Sequence, residues 1–266
     1  MKDLVQNLLQ IAKETFDTSP LLDSEIGTTN VKGDRTIGMD VKIEELFIDY
    51  LKKNNLPVEV FSEEAGIVKL NKNPEYLVVF DPLDGSTNYK TGKGLLPYGT
   101  LVAIYKGSKP KLKDIVAAGA LEYTSKLSWV YDGKKTTDQN DNLVKLDKDW
   151  IINQKTSVYF DLYYKLAYDQ FAPLAQKVHI RWCGSNVGSL TYVLSEVAAI
   201  MGSACMRCEE IGAMYGLVKG AGGITTDHQG RDIGEEIFSP EKTYPMISGN
   251  RIAHIKTIKM LNENLP

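Results

Sequence analysis

The segment Asp81-Pro82-Leu83-Asp84-Gly85-Ser86-Thr87 places two carboxylates, a proline, a glycine and two hydroxyls directly after the apolar run YLVVF at 76–80. That run has the composition of a buried strand, so Asp81 stands at its carboxyl end. Pro82 fixes the exit φ and cannot continue a ladder, and Asp84-Gly85 permits a sharp turn. A helix opening at Gly85, Ser86 and Thr87 would aim its free N–H groups back at the place where the carboxylates sit. Carboxylates attract a divalent cation, and helix N-terminal amides attract an anion, ideally a phosphate. Together they describe a site for a metal-bound phosphate ester. A surface Asx turn uses the same residues, and the segment alone leaves both readings open.

Further acidic residues fall at predicted element ends. Glu63 and Glu64 close the preceding strand in FSEEAG, Asp40 opens a helix, and Glu209 and Glu210 open another in CEEIGAMYGLVKGAGG. Four acidic spots at element ends suit Mg²⁺, which prefers oxygen ligands and keeps waters that a phosphate or nucleophile replaces. Taken alone, Glu209 and Glu210 read as a solvated face.

The elements that must position these groups follow from periodicity. Leu4, Leu8, Ile11 and Ala12 share one face of a helix over 1–17, and the turn-rich stretch 19–38 reads as a loop or short ribbon. A helix over 39–55 ends in Lys-Lys-Asn-Asn. Strands follow at 57–64, 75–82, 98–107, 115–124 and 126–133 with short connections, hence a largely antiparallel sheet. The second half changes character. A helix is expected within 157–178, a strand and turn at 179–185, and a helix running from 186 towards 201 after Ser185 or Asn186 as its cap. Another helix is closed by Gly222 and Gly223, and a strand and turn return at 223–233. The last 40 or so residues are less distinctive. A boundary near 145–180 divides an N-terminal α+β lobe (1–145) with the acidic site from a C-terminal lobe (146–266) with substrate-side residues.

Composition narrows the class. The 266 residues are 43% hydrophobic and 24% charged with a net charge of −3, ordinary for a soluble globular protein. No apolar stretch nears the roughly 20 residues that span a bilayer. The N-terminus lacks the uninterrupted apolar core of a signal peptide, so the cytoplasm is the expected location and no membrane partner is expected. Lys and Arg are scattered, which argues against a nucleic-acid footprint. Cys183, Cys205 and Cys208 are odd in number, and the CMRC pair lacks a second pair or a nearby His, so incidental thiols are expected rather than zinc ligands.

The order FSEEAG, then DPLDGSTN, then a helix ending in GAGG resembles the inositol monophosphatase family of metal-dependent phosphatases. That superfamily also holds fructose-1,6-bisphosphatases and the phosphatases of 3′-phosphoadenosine 5′-phosphate. The resemblance runs from about Asp40 to Gly223 and implies a layered α-β-α-β-α sandwich: a largely antiparallel N-terminal sheet and a smaller mixed C-terminal one. It implies two or three Mg²⁺ per site. Glu63 is then a metal ligand that helps hold the attacking water, with Glu64 either supporting it from behind or serving a third metal. Asp81 bridges two metals, the Leu83 carbonyl completes one shell, and Asp84 binds the second metal beside the substrate. Gly85 and Ser86 offer N–H groups to phosphate, with Thr87 next to them. The Ser86 hydroxyl, where the family commonly has Thr, orients the water, and Asp40 is a supporting carboxylate near it.

One departure stands out. The family usually has Trp-Asp before the small-residue helix, and here those positions hold Glu209 and Glu210. Glu210 is the implied second-metal ligand, with one methylene more reach. Gly184, Ser185 and Asn186 in RWCGSNVGSLTY are implied to line the leaving-group pocket, although a capped helix start uses the same residues. Arg181 meets a second phosphate or serves as a structural ion-pair partner. The chain has no Cys-x5-Arg signature, and His179, His228 and His254 are scattered, so metal-assisted water attack is favoured over a covalent phospho-enzyme. The implied activity is Mg²⁺-dependent hydrolysis of inositol monophosphate, fructose 1,6-bisphosphate or both, in a homodimer. The alternatives are a 3′-phosphoadenosine 5′-phosphate phosphatase and a metal-binding relative with impaired turnover.

Overall fold

A computed structural model describes residues 1–19, 25–29 and 35–263. The amphipathic N-terminus forms α1 (Lys2–Thr18), which buries Leu4, Val5, Leu8, Leu9, Ala12 and Phe16 along one stripe. The turn-rich stretch contains an antiparallel ribbon, β1 (Glu25–Thr29) and β2 (Arg35–Ile37). Helix α2 (Gly38–Lys53) follows at once and stops where Asn55 takes a positive φ. Next come β3 (Val58–Ser62), β4 (Gly66–Lys69), β5 (Tyr76–Asp84), the single-turn α3 (Ser86–Thr91), β6 (Gly99–Lys106), β7 (Ile115–Glu122), β8 (Leu127–Tyr131) and β9 (Thr136–Asp138). The seven strands form one sheet in the order β4-β3-β5-β6-β7-β8-β9, parallel only between β3 and β5.

The second half holds β10 (Ser157–Phe160), α4 (Lys165–Phe171), β11 (His179–Arg181), α5 (Asn186–Leu194), β12 (Ile200–Met206), α6 (Cys208–Gly220), β13 (Ile224–Thr226), β14 (Tyr244–Gly249) and α7 (Arg251–Asn262). Its five strands form a mixed sheet, β11-β10-β12-β14-β13, with β10 parallel to both neighbours and β14 antiparallel to both of its own.

Alternation along β5 shows how the layers stack. Val78 and Phe80 point into a core shared with α1 and α2, whereas Leu77 and Val79 point into one shared with α5 and α6. That second core also takes Met201, Met206 and Met246 from one face of the small sheet. The other face of the small sheet packs Val158, Phe160 and Ile247 against α4 and α7. The order is therefore helices, large sheet, helices, small sheet, helices: an α+β sandwich. Helix α6 lies so close to the large sheet that a Cβ at Gly212 would sit 2.4 Å from the Tyr105 hydroxyl. Among the described residues, no helix is long and apolar enough to cross a membrane.

Strands β4 and β9 fall where no strand was expected, and three further differences lie in the second half. The helix starting at 186 ends at Leu194 rather than near 201, because Glu196 adopts φ 51° and the run after it pairs as β12 between β10 and β14. The helix within 157–178 shrinks to seven residues behind a strand. The indistinct C-terminus supplies β14 and α7, the latter capped by the Asn250 side chain, which accepts from the N–H groups of Ile252 and Ala253.

Candidate active site

The two aspartates of DPLD reach one face of the sheet through a bulge. Side chains three apart on a strand point to opposite faces. Here Asp81 pairs with Leu101 and Asp84 with Gly99, so three steps on β5 oppose two on β6. The extra residue restores both carboxylates to the α5/α6 side. Pro82 has no N–H to lose from the ladder, and its carbonyl accepts a 2.8 Å bond from the Thr100 hydroxyl. Asp81 also accepts the Leu83 N–H at 2.9 Å, so the Asx turn and the site use the same residues. Gly85 turns the chain into α3 with φ +80°, and a Cβ there would lie 2.9 Å from the Pro97 carbonyl oxygen.

Asp84 is anchored across the lobes. Its carboxylate accepts from the Ser185 hydroxyl at 2.5 Å, the Val187 N–H at 2.7 Å and the Asn186 N–H at 3.1 Å, all at the start of α5. Ser185 is itself the cap of that helix, accepting from the Gly188 N–H. Asn186 donates its side-chain amide to Glu210 at 2.9 Å, in the first turn of α6. The result is a buried triad: one ligand oxygen from each of Asp81, Asp84 and Glu210, all within 4.8 Å of one another. Burial raises the pKa of all three. Around Asp81 the charges of Glu63, Asp84 and Glu210 push further the same way, whereas the Ser185, Val187 and Asn186 bonds restrain the rise at Asp84. Three hard oxygen donors that repel one another in a buried site fit a divalent cation of the Mg²⁺ type.

Glu63 stands at the exit of β3. Its carboxylate is ion-paired with Arg207, which also lies 3.8 Å from Glu209. Arg207 immediately precedes α6. Burial pulls its pKa down, but Glu63, Glu210, Glu209 and Asp81 outweigh that and keep it charged. Behind Glu63, Glu44 of α2 accepts from the Ser62 hydroxyl and from the Ala65 N–H at 3.0 Å, which braces the turn carrying Glu63 and Glu64. Asp40 is buried, and burial, Glu63 and Glu64 raise its pKa.

These groups border one cleft of about 490 Å³. Its lining brings together Asp40, Glu63, Glu64, Asp81, Leu83, Asp84, Gly85, Ser86 and Thr87 from the first half with Gly184, Ser185, Asn186 and Glu210 from the second. Arg181 is not part of the lining. It ends the edge strand β11, and its Nε donates to the Ser157 hydroxyl at 3.2 Å on the neighbouring strand. The cleft's arginine is Arg207 instead. Sequence reasoning also passed over Lys90, Asp161, Tyr163, Tyr164 and Trp182, which belong to the lining as well. A signal existed for Arg207, which stands two positions before the Glu209-Glu210 pair, whereas Asp161 gave none.

Residues 9–148 match the family model for the fructose-1-6-bisphosphatase N-terminal domain. A fructose-1,6-bisphosphatase/inositol-1-monophosphatase of Thermococcus kodakarensis is 30% identical over 220 residues, 81% of this chain and 78% of that protein. Fructose-1,6-bisphosphatase 1 of Bos taurus is 39% identical over 112 residues, which is 37% of this chain and only 32% of the bovine one. The fold matches that of the extragenic suppressor protein suhB of Bartonella henselae with a TM-score of 0.81 at 17% identity, over 99% of this chain and 98% of that one. Sequence match, layered fold and carboxylate triad agree: the chain belongs to the inositol monophosphatase/fructose-1,6-bisphosphatase superfamily of metal-dependent phosphatases.

Proposed function

We propose that this protein is a Mg²⁺-dependent phosphate monoester hydrolase acting on inositol monophosphate, fructose 1,6-bisphosphate or both. The observation that carries the reading is the buried Asp81, Asp84 and Glu210 triad opening onto the same cleft as the Gly85-Ser86-Thr87 turn. Asp81, Asp84, Glu210 and the Leu83 carbonyl would hold the cations, with Glu63 joining them once it parts from Arg207. Bound Mg²⁺ would supply charge neutralisation on the phosphoryl oxygens, a lowered pKa for the attacking water and stabilisation of the leaving alkoxide.

The chain's own groups do the rest. The N–H groups of Gly85 and Ser86 receive phosphate oxygens. The Ser86 hydroxyl and Asp40 orient the water, and the Asp40 carboxylate takes up its proton. Gly184, Ser185 and Asn186 face the leaving alcohol. Cys205 lines the cleft, but burial raises its thiol pKa, which does not suit a nucleophile. Glu210 reaching the triad supports a site adapted to glutamate over one impaired by it. The two lobes, 1–145 and 146–266, act as one catalytic unit, because Asp84 of one caps α5 of the other.

The test is phosphate release by the purified protein from inositol 1-phosphate, fructose 1,6-bisphosphate and 3′-phosphoadenosine 5′-phosphate, with Mg²⁺ and with EDTA. Hydrolysis of the first two that stops on chelation is expected. Release unaffected by EDTA would reject the mechanism, and a preference for the third would reassign the substrate.

A further inference from the structure

Glu209 is fully buried, yet neither the carboxylate triad nor the proposed reaction uses it. It opens α6 beside Glu210, where the family usually has tryptophan. Its Oε2 faces the Cys208 thiol at 3.1 Å, and its Oε1 lies 3.8 Å from Nη1 of Arg207. That nitrogen is the same one that is ion-paired with Glu63. One cation therefore stands between two carboxylates, in contact with Glu63 and just short of contact with Glu209.

The surroundings decide which of the three groups moves. The Glu209 side chain has no exposed surface and that of Glu63 is 10% exposed, whereas that of Arg207 is 31% exposed and borders the cleft. The Arg207 backbone is held, because its carbonyl accepts from the N–H groups of Glu210 and Ile211. Movement is left to the guanidinium. A displacement of about 1 Å turns the 3.8 Å separation from Glu209 into a charge-assisted hydrogen bond of about 2.8 Å. A divalent cation arriving at Glu63 must replace this guanidinium, and like charges drive the two apart. With nowhere to go, the guanidinium would stay partly desolvated beside the arriving charge. Glu209 is placed to receive it.

We infer that Arg207 is a two-position latch on the cation site at Glu63: paired with Glu63 it excludes a cation there, paired with Glu209 it admits one, and Glu209 is the positioning residue that draws the latch open. This rests on the hydrolase reading only for Glu63 as a cation ligand. A Glu209 that served packing alone, or that merely added negative charge near the cations, would need no exchange of partners by Arg207.

The experiment titrates Mg²⁺ calorimetrically into the purified full chain without substrate, and the binding step at Glu63 is identified as the one lost in Glu63→Gln. On that step Arg207→Gln is expected to tighten binding about tenfold. Glu209→Asp keeps the charge but draws the carboxylate back from Arg207, and is expected to weaken binding about tenfold. In an Arg207→Gln background, Glu209→Asp should have no further effect, because the two changes act through one contact. Melting temperature gives a second readout. The rise from EDTA to one fixed Mg²⁺ concentration should be larger in Arg207→Gln and smaller in Glu209→Asp than in wild type. If Glu209→Asp does not fold, Glu209→Gln in the same two backgrounds decides the question, its loss of affinity being confined to chains that keep Arg207. Wild-type affinity in Glu209→Asp, a loss that persists in the Arg207→Gln background, weaker binding in Arg207→Gln, or no binding step lost in Glu63→Gln would overturn the assignment. Binding steps that behave as expected in a protein that releases phosphate from none of the esters would strike the hydrolase reading alone.

Discussion

Asp81 and Asp84 belong to the same triad, yet their asparagine variants should differ in stability when metal is chelated. Two ionised carboxylates 4.8 Å apart, the outer limit within the triad, repel by about 3.5 kcal/mol at an effective dielectric constant of about 20. Each aspartate has two such neighbours, and Asp81 faces Glu63 as well, so neutralising Asp81 relieves at least as much repulsion as neutralising Asp84 and favours the Asp81 variant. The hydrogen bonds act in the same direction. Asp81 accepts a single N–H, from Leu83, which an asparagine oxygen still accepts. Asp84 accepts three donors with its two oxygens. Asparagine keeps one of those oxygens and turns its amide against an N–H of α5, orphaning one buried donor and weakening the bonds that remain. An orphaned buried donor costs about 1–3 kcal/mol, and downgrading charge-assisted bonds costs about another 1 kcal/mol. Asp84→Asn should therefore be less stable than Asp81→Asn by about 2–4 kcal/mol. For a chain of this length, about 2 °C of melting temperature corresponds to each kcal/mol, so the two variants should separate by about 4–8 °C in EDTA. Calorimetric titration should show that both have lost most of their Mg²⁺ affinity. Equal melting temperatures, the reverse order, or wild-type affinity in either variant would refute the reasoning.

Three further outcomes test the surroundings of the site. Glu44→Ala removes the acceptor of Ser62 and Ala65 and should cost about 2–4 kcal/mol in a denaturant titration, with kcat/KM on the preferred ester down about tenfold as the Glu63 turn loosens, whereas Glu44→Gln should keep most of both. Gly85→Ala forces a left-handed backbone on alanine and sets its Cβ against the Pro97 carbonyl; a loss of about 1–2 kcal/mol is expected, with a fall in Mg²⁺-dependent phosphate release larger than the stability loss accounts for. His254 is buried beside Thr226, and burial lowers its pKa from 6.5 to about 4. The unfolded chain therefore binds the extra proton first as pH falls, so stability is complete above pH 6.5 and about 3 kcal/mol of it is lost by pH 4. The raised pKa values of Asp40, Asp81 and Glu210 act in the opposite sense, gaining stability as pH falls, so the loss is read as the difference between wild type and His254→Gln, which should lack that slope.

The carboxylates were legible in the sequence because local breakers announce each of them. Pro82 and Gly85 bracket Asp84, Gly66 follows the Glu63-Glu64 turn, and Gly222 and Gly223 fix the register of the helix that Glu210 opens. The large-sheet strands that read as apolar runs between short turn-rich connections, β3 and β5 to β8, were equally plain. Strand β12 was not, because its run AAIMGSAC is as apolar as a buried helix, and only the backbone at Glu196 separates it from α5. The groups that face the acids were hidden for another reason. Arg207 meets Glu63 across 144 positions of chain, a pairing no local pattern records. For Arg181 the sequence left a second phosphate and a structural partner both open; it is the last residue of an edge strand, and its side chain donates to Ser157 on the neighbouring strand.

Electrostatics could have chosen between the two arginines. Buried carboxylates as close as Asp81, Asp84 and Glu210, with Glu63 and Glu209 near by, cannot all be ionised without positive charge at hand. A metal supplies part of it. The rest must come from a side chain whose backbone is already fixed among the acids, since a long flexible reach from the sheet edge costs rotamer entropy with little desolvated contact to repay it. Arg207 meets that condition: it directly precedes the helix that opens with Glu209 and Glu210, so its guanidinium is delivered to the acidic cluster by the same turn that delivers Glu210 to the triad. A basic residue within a turn of an acid-rich helix start, rather than one beside a glycine turn, is the pattern to seek when a sequence implies several buried carboxylates in one place.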